Sequence, residues 1–225
     1  VLRTSSQMKG VSPMSNIRSL LKPDAIASLP LLAGLTLLAS LLFSPLSDAK
    51  EAKAIFAGGC FWCMEPPFDE LDGVISTTSG YTGGHKKNPT YREVSAGGTG
   101  HTEAVEVVYD PDIVSYQTLL DVFWVNIDPF ALNYQFCDTG SQYRAGIYPL
   151  NEAQARLAKA SKEKVQQNFD QRIQTEIEPA TTFYPAEDYH QDYYMKNPIR
   201  YTFYRNSCGR DKRLKEIWGD RFKKN

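Results

Sequence analysis

The 225-residue sequence has no excess of charge of either sign, because 25 basic side chains are balanced by 26 acidic ones to a formal net charge of -1. A protein that binds the nucleic-acid backbone needs a concentrated positive surface, so we expect no nucleic-acid partner. The sequence also contains no internal repeat and no low-complexity tract. Its composition, 42% hydrophobic and 12% aromatic, is that of one ordinary globular domain rather than two.

The sequence has no apolar run of the ~20 residues that a membrane-spanning helix needs. The most apolar stretch, residues 31–43, is bracketed by two prolines and preceded by four basic residues. Small residues follow at Ser47 and Ala49, the two positions that a signal peptidase reads. This layout predicts an export signal over residues 1–49, which would place the protein in the periplasm or an equivalent lumen, with an uncleaved membrane anchor as the alternative. The folded domain is then expected over residues 50–225.

Cysteine is scarce, and its spacing argues against a metal. The four cysteines, Cys60, Cys63, Cys137 and Cys208, all lie in the expected folded domain. Structural zinc sites usually show two close pairs of ligands, whereas here one Cys-x-x-Cys is followed by two isolated cysteines, so we expect no metal site. An even number of cysteines in an exported protein also allows two structural disulfides, although a domain of this size has enough core without them.

The first cysteine has an unusual setting. Residues 52–57 read as a short buried strand, Gly58-Gly59 allows a turn, and a helical pattern begins at Phe61. Cys60 would then lie at a helix N-terminus, where free N–H groups and the helix dipole lower the pKa of a thiol. The pattern predicts a nucleophilic thiolate beside the aromatic pair Phe61-Trp62.

Strand and helix patterns alternate along the rest of the folded part, but several strands follow one another in the manner of hairpins. This arrangement favours an α+β layer sandwich over a doubly wound parallel sheet. A long loop is expected over residues 128–140, and an irregular aromatic segment from Phe183 onward. The expected elements are strands at 52–57, 74–79, 103–109, 142–148 and 175–178, and helices at 61–71, at 90–94 with Thr90 and Glu93 as a capping box, at 115–124 capped by Ser115, at 151–169 capped by Asn151, and at 211–218.

An ordered series of motifs between Ala54 and Trp218 resembles the A-type peptide methionine sulfoxide reductases. The resemblance implies a ferredoxin-like α/β plait with a long irregular C-terminal segment, a catalytic domain over residues 50–225, a monomer, and no bound cofactor. The motifs are Gly59-Cys60-Phe61-Trp62, Gly80-Tyr81-Thr82-Gly83-Gly84, Asn88-Pro89-Thr90-Tyr91, Thr99-Gly100-His101-Thr102-Glu103-Ala104-Val105, Tyr109-Asp110-Pro111 and Gln142-Tyr143-Arg144.

The implied reaction reduces methionine S-sulfoxide, free and in proteins, and so repairs oxidised proteins. A sulfoxide has an electron-poor sulfur, a strongly accepting oxygen and a methyl group, so its reduction calls for a thiolate, an acid and an apolar pocket. The resemblance implies that Cys60 attacks the sulfur and that Glu103, kept protonated by burial, donates the proton to the departing oxygen. It also implies two tyrosines that hydrogen-bond the oxygen, two aromatic residues around the methyl group and one substrate-binding aspartate: Tyr91, Tyr143, Phe61, Trp62 and Asp138.

The step leaves a sulfenic acid on Cys60, which a second cysteine must convert to a disulfide that thioredoxin or another dithiol reopens. Cys208, on a glycine-flanked C-terminal segment, is the first candidate for this resolving cysteine. Cys137 and Cys63 are further candidates, although a Cys60–Cys63 bond would close a strained loop. The sequence departs from the common family pattern at Cys63, where glycine is usual, and at residues 135–138, where Gln-Phe-Cys-Asp replaces Gln-Gly-Asn-Asp.

Two other functions fit the same cysteines. A thiol–disulfide oxidoreductase would use Cys60 and Cys63 as its redox pair. A non-catalytic secreted domain would instead use all four cysteines in two disulfides. Without the resemblance, Glu103 would be read as a solvated strand residue, since charged groups are rarely buried unpaired.

Overall fold

The computed structural model describes residues 50–223. The export signal or anchor predicted over residues 1–49 lies outside the described residues and stays a prediction. Within residues 50–223, no helix has both the length and the apolar character that crossing a membrane requires.

In the described part of the chain, six strands form one sheet, and two short strands form a separate hairpin. All pairings in the large sheet are antiparallel except that between β6 and β7, and the strand order is β7-β6-β1-β3-β2-β8. Together with the helices this is an α+β fold, as the sequence predicts. The strands are β1 (Ala52–Gly58), β2 (Val74–Thr82), β3 (Thr102–Tyr109), β4 (Tyr134–Gln135), β5 (Asp138–Thr139), β6 (Ala145–Ile147), β7 (Glu176–Ile177) and β8 (Tyr184–Pro185), with β4 and β5 forming the hairpin.

Helices α3 (Tyr116–Val125) and α4 (Glu152–Gln166) contact each other, and the core forms where the central strand meets the helical layer. Phe56 of β1 stacks on Phe68, Tyr116 and Phe123, with ring centroids 5.2, 6.0 and 5.3 Å away. The helices are α1 (Glu65–Asp69), α2 (Tyr91–Ser95), α3 (Tyr116–Val125), α4 (Glu152–Gln166), α5 (Tyr193–Lys196), α6 (Pro198–Ser207) and α7 (Arg210–Trp218).

The predicted helix caps are confirmed. Thr90 and Glu93 form a capping box at the start of α2, because the Thr90 side chain accepts from the Glu93 backbone and the Glu93 carboxylate accepts from the Thr90 N–H at 3.0 Å. The Ser115 hydroxyl accepts from the Thr118 N–H at the start of α3, and Asn151 caps α4. These caps depend on residues three positions apart, which is why the sequence reveals them.

Two predicted segments differ in the structure. The helix predicted at residues 211–218 is confirmed as α7, but two further helices, α5 and α6, occupy Tyr193–Lys196 and Pro198–Ser207, where the sequence predicts an irregular segment. Helix α6 escapes prediction because it exposes large apolar side chains, with Ile199 87% and Phe203 73% exposed, so no apolar stripe marks a buried face. The strand predicted over residues 142–148 is shorter, because a 3-10 turn at Ser141–Tyr143 precedes β6.

A buried carboxyl at the start of α1 makes the stability depend on pH. Glu65 accepts a hydrogen bond from the Ser79 hydroxyl at 2.8 Å, and burial raises its pKa to about 7. A carboxyl whose pKa is raised on folding stabilises the protein fully below its unfolded pKa, and this contribution is lost as the pH rises through the folded pKa.

We therefore expect Glu65→Gln to change the pH dependence of stability. Between about pH 4.5 and pH 7, wild type should lose about 3 kcal/mol of unfolding free energy relative to the variant, since each pKa unit corresponds to about 1.4 kcal/mol. Urea unfolding of both proteins at a series of pH values measures this difference. The contributions of the other titrating groups are the same in both proteins and cancel in the comparison. A difference that stays constant over this range would show that Glu65 is not protonated in the folded protein.

Candidate active site

Cys60 lies at the junction between β1 and a 3-10 turn that spans Phe61–Cys63. The preceding Gly59 has a φ of +82°, and a Cβ there would meet the Cβ of Gln135 at 2.5 Å, so only glycine fits this tight approach. Cys60 is consequently buried under the neighbouring segments, with 6% of its surface exposed.

The predicted lowering of the Cys60 pKa is wrong. Burial raises the pKa of this thiol well above its ordinary value, and its hydrogen bond with Cys63 and the charge of Glu103 act in the same direction. The helix that would have stabilised a thiolate begins only at Glu65, and the turn after Cys60 is three residues long, too short for a substantial dipole. Cys60 is therefore a neutral thiol at neutral pH.

Glu103 is buried next to Phe61, the residue that follows Cys60 in the chain. It lies on β3 opposite Tyr81 of β2, and only 2% of its surface is exposed. Its Oε2 accepts a hydrogen bond from the backbone N–H of Phe61, the residue after Cys60, at 3.1 Å. Burial raises the pKa of Glu103 to about 8, which the Phe61 hydrogen bond partly offsets. The carboxyl is thus protonated at neutral pH, and the alternative reading of Glu103 as a solvated residue is wrong.

Two phenols share this environment. Tyr91, the first residue of α2, has its pKa raised to about 12 by burial and by the charge of Glu103. Burial and Glu103 also raise the pKa of Tyr143, at the end of the 3-10 turn before β6. The structure therefore brings both predicted tyrosines into the electrostatic neighbourhood of Glu103 and keeps them as neutral hydrogen-bond donors.

An aromatic wall adjoins the thiol. Phe61 is fully buried, and its ring lies 5.0 Å from that of His190. Trp62 stacks on Tyr193 with the ring centroids 3.7 Å apart and the planes 6° from parallel. The Trp62 indole N–H donates to Nδ1 of His190 at 3.0 Å, and Tyr204 meets the indole edge-on at 5.8 Å. Residues from three C-terminal elements thus hold Trp62 in one orientation.

Asp138 connects the hairpin to this site. The Tyr204 hydroxyl donates to its Oδ2 at 2.5 Å, and burial raises the pKa of Asp138. The Asp138 charge in turn raises the pKa of Cys60 and of Glu103. Asp138 therefore lies close enough to the thiol and the carboxyl to interact with both.

Sequence reasoning missed several residues that support the site. Glu187 accepts from the Tyr81 hydroxyl and from the Tyr91 N–H, each at 2.8 Å, and so fixes the start of α2. His190, Tyr193 and Tyr204 complete the surroundings of Trp62. The density of aromatic residues after Phe183 is the one signal in the sequence for this role.

The cysteines divide into two pairs. Cys137 and Cys208, 71 positions apart, form a disulfide with their Cα atoms 5.0 Å apart. Cys60 and Cys63 are free and buried. The alternative of two structural disulfides is therefore wrong, and the candidate resolving cysteine Cys208 is joined to Cys137 rather than to Cys60.

A buried thiol, a protonated carboxyl beside it, an aromatic wall and a nearby disulfide define a thiol-dependent oxidoreductase. The sequence matches the pattern of the family described as "Peptide methionine sulfoxide reductase" over residues 52–222. The chain belongs to this family, and its curated relatives place it among the A-type members.

Three similar proteins illustrate the relationship. The peptide methionine sulfoxide reductase MsrA of Streptococcus agalactiae serotype III is 53% identical over 168 residues, which cover 74% of this chain and 98% of the relative. The reduced form of Mxr1 from Saccharomyces cerevisiae is 34% identical with a TM-score of 0.64, over 67% of this chain and 88% of the other. The methionine sulfoxide reductase A of Corynebacterium diphtheriae is 39% identical with a TM-score of 0.61, over 68% and 78% of the two chains.

Proposed function

We propose that the protein reduces methionine S-sulfoxide, free and in proteins, to methionine, and thereby repairs oxidised proteins. The observation that carries this proposal is the position of Glu103. Its carboxyl is hydrogen-bonded to the amide that follows Cys60 and is protonated at neutral pH. The nucleophile and the acid are thus close enough to act on the same small substrate, which is what transfer of an oxygen atom to sulfur requires.

The first step transfers one oxygen atom from the substrate sulfur to the sulfur of Cys60. Glu103 donates its proton to the sulfoxide oxygen, Cys60 attacks the sulfur, and Glu103 regains the proton that the thiol releases. The attack joins the two sulfurs; the oxygen then moves to the Cys60 sulfur, so the S–S bond and the S–O bond of the substrate break as an S–O bond forms on Cys60, and the products are methionine and a sulfenic acid. The raised pKa values of both groups suit this exchange, because each begins in its protonated form.

The residues around Cys60 and Glu103 bind and orient the substrate. Tyr91 and Tyr143 are neutral donors near Glu103 and hydrogen-bond the sulfoxide oxygen. Phe61 and Trp62 form an apolar contact for the methyl group, and Asp138, oriented by Tyr204, binds the polar part of the substrate. The orienting contacts of Trp62 and Asp138 support this assignment, because an unrestrained side chain would lose entropy on binding.

We further propose that thioredoxin or another dithiol regenerates the enzyme by reducing the Cys137–Cys208 bond. Cys137 is exposed, whereas Cys60 and Cys63 are buried, so a bulky protein reductant reaches the first pair and not the second. The exchange moves two electrons and two protons from the external dithiol to the disulfide.

The strand order supports a finer description of the fold as a ferredoxin-like plait. Four central strands in the spatial order β6-β1-β3-β2, with α1 between β1 and β2 and with α3 between β3 and β6, follow the β-α-β-β-α-β pattern of that fold. The edge strands β7 and β8 are then additions to the plait.

The substrate specificity is testable with the two sulfoxide epimers. With dithiothreitol as reductant, we expect the purified protein to convert free and peptide-bound methionine S-sulfoxide to methionine and to leave the R epimer unreacted. Chromatography of the released amino acids measures the two conversions. Equal conversion of both epimers, or conversion of neither, would contradict the proposed function.

A further inference from the structure

Cys63 lies directly against the reactive cysteine. The two thiols hydrogen-bond to each other, and the Cys63 N–H donates to the Cys60 carbonyl at 3.0 Å. Such a turn brings the Cα atoms of its first and fourth residues within about 7 Å. Disulfides span Cα separations of about 4.4–6.8 Å, so the pair can close without moving the backbone far. The turn therefore keeps the two cysteines within bonding reach, and the strain predicted for a Cys60–Cys63 bond does not rule out this pair.

The surroundings of Cys63 favour its thiolate. The Cys60 thiol donates a hydrogen bond to it, and the positive charges of Arg210 and Arg205 act on it, so the pKa of Cys63 falls to about 7 despite burial. Arg210 is held in place by hydrogen bonds from its Nη2 to the carbonyl oxygens of Gly58 and Asn126, at 3.1 and 2.7 Å. A fixed cation beside Cys63 makes it the better nucleophile of the two buried thiols.

We propose that Cys63 is the thiol that reacts with the sulfenic acid of Cys60, and that the resulting buried disulfide is passed to Cys137 and Cys208. This inference rests on the proposed function, because the sulfenic acid arises only from sulfoxide reduction. It assigns the cysteines to an inner pair that performs the chemistry and an outer pair that meets the external reductant.

Both steps balance. The Cys63 thiolate attacks the Cys60 sulfur, the S–O bond breaks, and the departing hydroxide takes a proton, which gives a Cys60–Cys63 disulfide and water. The outer dithiol then exchanges with this bond through a mixed disulfide, so that two electrons and two protons move inward and the Cys137–Cys208 disulfide forms. The inner thiols are free and the outer pair is oxidised in the structure, which is the arrangement that this sequence would leave.

Neighbours of the outer cysteines lie close to the inner cysteine pair. Tyr204 lies one helical turn before Cys208, and Asp138 follows Cys137 directly, and these two neighbours are hydrogen-bonded to each other. The charge of Asp138 reaches both Cys60 and Cys63. The segments that carry the outer disulfide therefore already contact the site of the inner pair.

The experiment isolates the inner pair in a Cys137→Ser/Cys208→Ser double variant. The reduced variant, freed of dithiothreitol, is mixed with excess methionine S-sulfoxide and dimedone, which traps sulfenic acids. We expect one methionine per chain, the loss of both remaining thiols, a Cys60–Cys63 disulfide by peptide mapping, and no dimedone adduct. The matched triple variant that adds Cys63→Ser should release one methionine and carry the adduct on Cys60.

Two outcomes overturn the inference in different ways. If the double variant releases methionine but carries a dimedone adduct on Cys60 with Cys63 still a free thiol, Cys63 is not the resolving cysteine and the proposed function stands. If neither variant releases methionine while both are folded by circular dichroism, the proposed function fails as well. Cys63→Ala replaces Cys63→Ser if the buried serine destabilises the triple variant.

Discussion

Replacement of Cys60 by serine is expected to abolish the reduction of methionine S-sulfoxide, with a fall in activity of more than about 10³-fold. A serine hydroxyl is a far weaker nucleophile at neutral pH and its oxygen cannot accept a second oxygen to form a sulfenic acid. The first-turnover release of methionine, measured in a quenched reaction without recycling reductant, reports this step alone. Circular dichroism of the variant is expected to show that it is folded, a control that is needed because a hydroxyl is less favourable than a thiol in this buried position.

The matched control for this variant is Cys137→Ser. It should lose turnover with thioredoxin, because the outer disulfide can no longer form, yet it should still release methionine in the first turnover. Retention of more than a few per cent of the wild-type first-turnover rate by Cys60→Ser would mean that another group attacks the substrate. A thiol–disulfide oxidoreductase would release no methionine in this assay, because the only substrate supplied is a sulfoxide.

Replacement of Glu103 by glutamine is expected to lower the first-turnover rate by about 10²- to 10⁴-fold, the usual contribution of a general acid. The amide oxygen can still accept from the Phe61 N–H, so the shape of the site is kept while the acidic proton is lost. Substrate affinity should change little, because the main loss occurs in the transition state. An effect smaller than about threefold would show that Glu103 is not the general acid of the reaction.

The pH dependence gives this prediction a second measurement. Because burial raises the pKa of Glu103 to about 8, the carboxyl is neutral below that pH and ionises above it. The rate of the wild-type enzyme should therefore fall as the pH rises through about 8, and Glu103→Gln should lack this fall. Glu106→Gln on the same strand is the control, because Glu106 pairs with Lys53 at 2.9 Å outside the site and its loss should change the rate less than about twofold.

The sequence predicts the elements whose signals are local. The alternation of β3, the caps at Thr90, Ser115 and Asn151, and the glycine turn before Cys60 depend on residues a few positions apart. The last helix, α7, is also predicted, whereas α5 and α6 before it are not, because α6 turns its largest apolar side chains to solvent and no stripe marks a buried face. The resemblance of the motifs points to Cys60, Glu103 and the tyrosines, but the spacing of these residues alone does not bring them together.

Tertiary contacts over long sequence separations decide the rest of the site. Glu103 is buried and protonated because the pairing of β3 places it beside the turn that carries Cys60, and the same burial raises the pKa of the thiol that the isolated motif predicted to be acidic. The pairing of Cys137 with Cys208 depends on the packing of the hairpin against α6, which no local pattern encodes. The chain itself determines which groups can react, because their chemistry belongs to the residue types, whereas their protonation and their partners depend on solvent exclusion and distance, which exist only in the folded protein.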